Sequence, residues 1–326
     1  MTRDGSGGAR GEAGLPAALG GAGWSPRGAD LSEERGSIWG DFGVEAEWAP
    51  LRAVLLHAPG PELGTGGDPG KVQMLGRPDP GRAREEHLRL AAAYRDAGVE
   101  VHQVEPERPS PNLLFVADLF FMTPQGAILA RPASTVRAGE EVEAARALAR
   151  LRIPILGSVH GRGVFEGADA LWLDGDTVVL AEGLRTNGAG ASQVARILAD
   201  LGVTVIRVRL GRGTMHLMGT VRLLDRDLAV VRAGLVPARV VRLLGSRGFR
   251  VLEADAREEL AVGQAMNVVP LAPRKVLMPA GQPATRSLLE RAGVEVIPVE
   301  IGELAKGAGG VACMTGVLRR GFHRGA

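Results

Sequence analysis

The chain has 326 residues, 45% of them hydrophobic, with 39 basic against 37 acidic side chains and a formal net charge of +2. That is core enough for one large domain or two ordinary ones, and no run reaches the ~18 apolar residues of a membrane span. The charges are interleaved and there is one tyrosine, which argues against a nucleic-acid surface of clustered bases and stacking aromatics.

Residues 1–35 are rich in Gly, Ala, Arg and Ser without periodicity, and read as a disordered tail. Order is expected from near Trp39, so residues 36–326 form a single domain. The one cysteine and the lack of an apolar signal segment predict a cytoplasmic protein.

Beyond the tail the chain repeats itself. Five times an amphipathic helical stretch runs straight into a short apolar strand: 93–98 into 99–104, 147–152 into 153–156, 197–202 into 203–208, 243–248 into 249–252, and 288–293 into 294–299. Glycine stands at four of the five joints (Gly98, Gly202, Gly248, Gly293), as expected of a left-handed helix cap. Between the joints lie apolar hairpins, 119–122 with 127–129, 170–172 with 177–180, 221–224 with 228–231, and 268–271 with 276–278. A unit of hairpin, helix and strand is too small to bury its own faces. The fold class is therefore α/β, with five such units closing around a central axis as a five-bladed α/β propeller.

Polar or reactive residues in apolar surroundings recur beside these hairpins: Asn112 and Asp118 in Pro111-Asn112-Leu113-Leu114-Phe115-Val116-Ala117-Asp118, Glu166 in Phe165-Glu166-Gly167, Arg185 in Arg185-Thr186-Asn187, His216 in Met215-His216-Leu217, and Cys313 after Gly309-Gly310. Each alone has a plainer reading. A free cysteine is usually a small buried hydrophobe, a histidine on an apolar strand a satisfied core residue, Asp118 or Glu166 a solvated carboxylate, and Arg185 a surface ion pair. Together they have a chemical logic. A thiolate is a nucleophile whose pKa falls beside a cation. Two carboxylates suit a planar guanidinium with several N–H donors, and arginines suit a carboxylate at the far end of the same ligand. The sketch is an amino acid with a guanidino side chain. No histidine has a partner at metal-ligand spacing.

At these residues the sequence resembles the guanidino-group modifying enzymes, the superfamily of arginine deiminase, dimethylarginine dimethylaminohydrolase and the amidinotransferases. The resemblance runs from about residue 39 to residue 320 and includes the segment from Val44 to Gly60. It implies the five-bladed propeller, with Cys313 as nucleophile and His216 as general acid and base. Asp118 and Glu166 would hold the guanidinium, Glu166 also orienting His216. Arg185 and Arg131 would bind the substrate α-carboxylate, and Asn112 would line the pocket. The implied reaction cleaves a C–N bond of arginine or an N-methylated arginine through a thiouronium on Cys313, releasing citrulline, and this covalent mechanism requires neither metal nor organic cofactor. The implied partner is a small guanidino compound, with room for a homodimer. The alternatives are an amidinotransferase and a non-catalytic binder on the same scaffold. Met218 stands where the deiminases and amidinotransferases carry aspartate, which favours an N-substituted substrate and a site like that of the dimethylarginine hydrolases. Ala117 and Ala168 replace an arginine and a glycine common in the family.

Overall fold

The computed structural model describes residues 14–64, 67–261 and 264–321. Of the expected tail, residues 1–13 lie outside the described residues, and the stretch around residue 30 is tied down earlier than the sequence suggests. Asp30 caps α1 (Leu31–Glu34) in a capping box with Glu33, Glu34 pairs with Arg27, and Arg35 donates to the Pro124 carbonyl and lies over the Phe42 ring.

The body then runs β1 (Leu51–Leu56), α2 (Pro80–Asp96), β2 (Glu100–Gln103); β3 (Phe120–Thr123), β4 (Gly126–Leu129), α3 (Glu140–Arg150), β5 (Ile155–Ser158); β6 (Ala170–Asp174), β7 (Thr177–Glu182), α4 (Gly188–Asp200), β8 (Thr204–Arg209). It continues with β9 (Val221–Asp225), β10 (Leu228–Arg232), α5 (Ala238–Ser246), β11 (Arg250–Ala254), α6 (Arg257–Ala261), β12 (Val269–Ala272), β13 (Lys275–Pro279), α7 (Pro283–Arg291), β14 (Glu295–Val299), α8 (Val311–Met314) and β15 (Gly316–Arg320). The strands form five three-stranded sheets, β15-β1-β2, β3-β4-β5, β6-β7-β8, β9-β10-β11 and β12-β13-β14. In every sheet the middle strand pairs antiparallel with the first strand and parallel with the last. The parallel step needs a crossover, and the helix between middle and last strand provides it.

The joints are built as expected. Gly98, Gly202, Gly248 and Gly293 have φ between 75° and 83°, and the fifth joint places Arg152 at φ 54°. One hairpin was hidden from a local reading: β15, at the end of the chain, pairs with β1, Leu55 opposite Gly316 and Val54 opposite Val317. First and middle strands are almost wholly buried, whereas last strands such as β2 and β5 are largely open. The first strands therefore face inward. β3 touches β15, β9 touches β12, and the turns leading into first strands touch one another, 116–118 against 167–169 and against α8, and 167–169 against 217–219. Each sheet is open, and none closes on itself. Among the described residues no helix is long and apolar enough to cross a membrane.

Candidate active site

Four of the chemistry-bearing side chains occupy one structural place, the segment that enters an inner strand. Asp118 ends the turn Val116–Asp118 before β3, Glu166 immediately precedes the turn Gly167–Asp169 before β6, His216 immediately precedes Leu217–Gly219 before β9, and Cys313 lies in α8 before β15. Asn267, two residues before β12, holds the fifth such place. Side-chain bulk is excluded where these turns meet. A Cβ on Gly167 would lie 2.2 Å from the Phe120 carbonyl oxygen, and one on Gly310 would lie 2.5 Å from the Asn267 Cβ. Asp169 ties two turns together, accepting from the Thr186 hydroxyl at 2.7 Å and from the Leu217 amide at 3.0 Å; burial pushes its carboxyl up to about 6.

His216 Nε2 is 2.7 Å from Glu166 Oε2 and 3.7 Å from Asp118 Oδ1. Burial works against a charged imidazole, but Asp118 and the Glu166 hydrogen bond outweigh it and raise His216 to about 9. The ring is therefore protonated at neutral pH. Glu166 is fully buried. Burial opposes its charge, yet the His216 hydrogen bond and charge hold it below the usual carboxylate range. Its other oxygen accepts from the Ala133 amide at 3.1 Å and from Arg185 at 3.4 Å. Asp118 Oδ2 receives Arg137 Nη1 at 2.5 Å, whereas Asp118 Oδ1 is buried with no hydrogen-bond partner among the described residues. Cys313 donates its thiol proton to Asn267 Oδ1 at 2.9 Å. Burial and the Asp118 charge push that thiol up to about 11, so the free protein holds a thiol and an imidazolium.

Cys313 and His216 sit at the seam between two lobes of a cavity. One lobe, about 20 Å³, is walled by Asn112, Phe115, Asp118, Arg137 and Arg185. The other, about 240 Å³, is walled by Met215, Met218, Met266, Leu260, Asn267 and Arg232 among others. Of the residues singled out from sequence, Cys313, His216, Asp118, Asn112 and Arg185 line this cavity, and Glu166 stands behind His216. Asn112 is held by its amide on the Val72 carbonyl at 2.8 Å. Arg131 is elsewhere: its side chain donates to the Gly163 carbonyl at 3.0 Å and its backbone bridges Phe165. The arginine on the cavity is Arg137, six residues on, held between Asp118 and Glu140. Nothing local in the sequence separates these two arginines. Asn267 was also missed, although its place before the fourth hairpin was available as a signal. Asp118, Glu166 and His216 are the one group of potential metal ligands among the described residues, with donor atoms within 4.8 Å. The guanidinium groups of Arg137 and Arg185 on the same carboxylates oppose a divalent cation there.

The chain is of the class of guanidino-group modifying enzymes, and its likeness to known proteins gives its family. The family model described as arginine deiminase matches residues 107–248 and 238–320, and the chain belongs to that family. It is 30% identical over 241 residues to N(G),N(G)-dimethylarginine dimethylaminohydrolase of Pseudomonas aeruginosa, covering 74% of this chain and 90% of the relative. Identity is also 30% over 272 residues with the protein of the same description from Streptomyces coelicolor, covering 83% and 98%. The solved structure of the Pseudomonas aeruginosa enzyme complexed with citrulline superposes with a TM-score of 0.69 at 27% identity, over 83% of this chain and all of that one.

Proposed function

We propose that the protein hydrolyses arginine or an N-substituted arginine to citrulline through a thiouronium on Cys313. The protein is a hydrolase acting on C–N bonds of linear amidines. The observation that carries the reading is Asp118 Oδ1, a buried carboxylate oxygen without a donor, 3.7 Å from His216 in the cavity that Cys313 lines. A buried acceptor is costly to leave unpaired, and a substrate guanidinium N–H satisfies it. The five sheets then stand as five blades around the axis where their entry turns meet, residues 36–326 forming one catalytic domain in the cytoplasm.

The steps follow from the resting protonation states. The substrate cation, held on Asp118 with the Glu166 charge behind His216, favours loss of the Cys313 thiol proton to solvent. The thiolate attacks the guanidinium carbon. His216, protonated because its pKa is raised to about 9, donates that proton to the departing nitrogen as the C–N bond breaks. Water then attacks the thiouronium carbon and neutral His216 takes its proton. The C–S bond breaks, releasing the ureido product and the thiolate. Arg185 and Arg137 bind the substrate α-carboxylate, and Asn267 holds the resting thiol.

Incubation with arginine, methylarginines, agmatine and guanidino acids is expected to yield citrulline or its analogue from at least one of them. Cys313→Ala should lower turnover by on the order of 10⁴-fold or more with the fold intact. Retained turnover overturns the assignment. Ornithine formed only when glycine or lysine is supplied identifies transfer instead of hydrolysis. Because the free thiol titrates near 11, alkylation of Cys313 by neutral iodoacetamide should be slow at pH 7 and climb through pH 10. Cationic chloroacetamidine, mimicking the substrate charge, should react at much lower pH. Identical pH profiles for the two reagents contradict ionisation by substrate.

A further inference from the structure

We infer that the larger lobe is a subsite for an anionic leaving amine, so that the substrate class is arginine carrying a carboxyalkyl group on its guanidine nitrogen. This rests on the hydrolase reading and extends it to the half of the substrate that departs. The lobe measures about 240 Å³, room for about eight groups of ~30 Å³ each, where methyl substituents fill one or two. Its walls are apolar around Met215, Met218, Leu260 and Met266, and no acidic side chain lines it. Two of its polar groups are unused. Arg232, half-buried at the end of β10, makes no ion pair with a described residue. Thr214 is 7% exposed, and its hydroxyl is buried without a hydrogen-bond partner among the described residues. A guanidinium and a buried hydroxyl among the residues lining a thioether-walled space are what a carboxylate on a short alkyl arm needs. The acids Asp118 and Glu166 are confined to the other side of Cys313.

The chemistry balances with groups already named. Cys313 sulfur bonds to the guanidinium carbon, the bond from that carbon to the substituted nitrogen breaks, and His216 supplies the proton that nitrogen takes up. The departing molecule is an amino acid, and water completes citrulline. For Nω-carboxymethyl-L-arginine the products are citrulline and glycine in equal amounts.

The test compares Nω-carboxymethyl-L-arginine with Nω-methyl-L-arginine on the full chain. The expected result is a kcat/KM higher for the carboxymethyl compound by about tenfold or more. Arg232→Gln should erase that preference and Thr214→Val should reduce it. Equal kcat/KM for the two compounds, or an Arg232→Gln loss of the same factor on both, overturns the subsite. If neither these two compounds nor any guanidine of the panel above is turned over, the hydrolase reading fails by itself, and calorimetry on Cys313→Ser decides the subsite. Tighter binding of the carboxymethyl compound that disappears on adding Arg232→Gln supports it, and equal binding overturns it.

Discussion

On one side of Cys313 the cavity wall is Asn112, Asp118, Arg137 and Arg185, each held by a backbone carbonyl or an opposite charge. On the other side it is Met215, Met218, Leu260 and Met266, held by packing, with Arg232 the one full-time charge. A wall fixed by charge-assisted bonds recognises a constant part of a ligand with fixed geometry. A wall of thioethers reshapes around variable apolar groups. On the proposed reading, the amino-acid end of the substrate goes to the charged side and the leaving group to the soft side.

The largest effect separating the sides comes from Glu166→Gln. Loss of the carboxylate charge removes part of what raises His216, with the Asp118 charge remaining, so His216 should titrate lower and kcat fall by about 10²–10⁴-fold. The alkaline limb of the kcat–pH profile should move to lower pH; an unmoved limb would show that Glu166 does not tune His216. Next is Arg137→Gln, which breaks a buried ion network with Asp118 and Glu140 and should cost about 3–5 kcal/mol in urea unfolding. Arg131→Gln, losing one contact to the Gly163 carbonyl, should stay within about 1.5 kcal/mol. Similar losses for the two would undo the assignment of Arg137 to the charged side.

On the soft side, Met218→Asp offers a carboxylate where a thioether now lines the larger lobe. One added charge-assisted bond to an unsubstituted guanidinium nitrogen, with an alkyl group now disfavoured, should swing the kcat/KM ratio of arginine to methylarginine by about thirtyfold toward arginine. An unchanged ratio would mean that Met218 does not meet the guanidine substituents.

How much of this was legible follows from where the signal lies. Joints such as Gly98 and Gly293, and the hairpins between them, are local patterns, and they fixed four complete units. The fifth, β15 on β1, pairs residues more than 250 positions apart, and no periodicity reports such a pairing. Asp118, Glu166, His216 and Cys313 were readable because each breaks an apolar stretch at an equivalent point of its repeat. Arg137 was not, because its place depends on how the turn at residues 135–137 aims it at Asp118, and a tertiary aim leaves no mark in spacing. The attachment of residues 30–35 escaped for a related reason: its partners, Pro124 and Phe42, are remote or outside the segment.

The smallest effect contrasts two equally buried histidines. His216 is surrounded by acids and raised to about 9. His87, on the buried face of α2, has no hydrogen-bond partner among the described residues, and burial, with His57 nearby, lowers it from 6.5 to about 4. The two must therefore act on stability with opposite sign. The unfolded chain binds the His87 proton more readily than the native one between these two values, so the stability this group contributes is present above pH 6.5 and lost as pH falls toward 4. For His216 the native state binds the proton more readily, so its contribution is present below 6.5 and lost as pH rises through about 9. His87→Leu should flatten the acid side of the stability curve by about 1 kcal/mol per pH unit between pH 6.5 and 5.5, measured by urea unfolding at each pH, and leave the alkaline side unchanged. If the acid slope survives the substitution, apolar burial is not what keeps His87 neutral, and the contrast with the charged side of the active site loses its control.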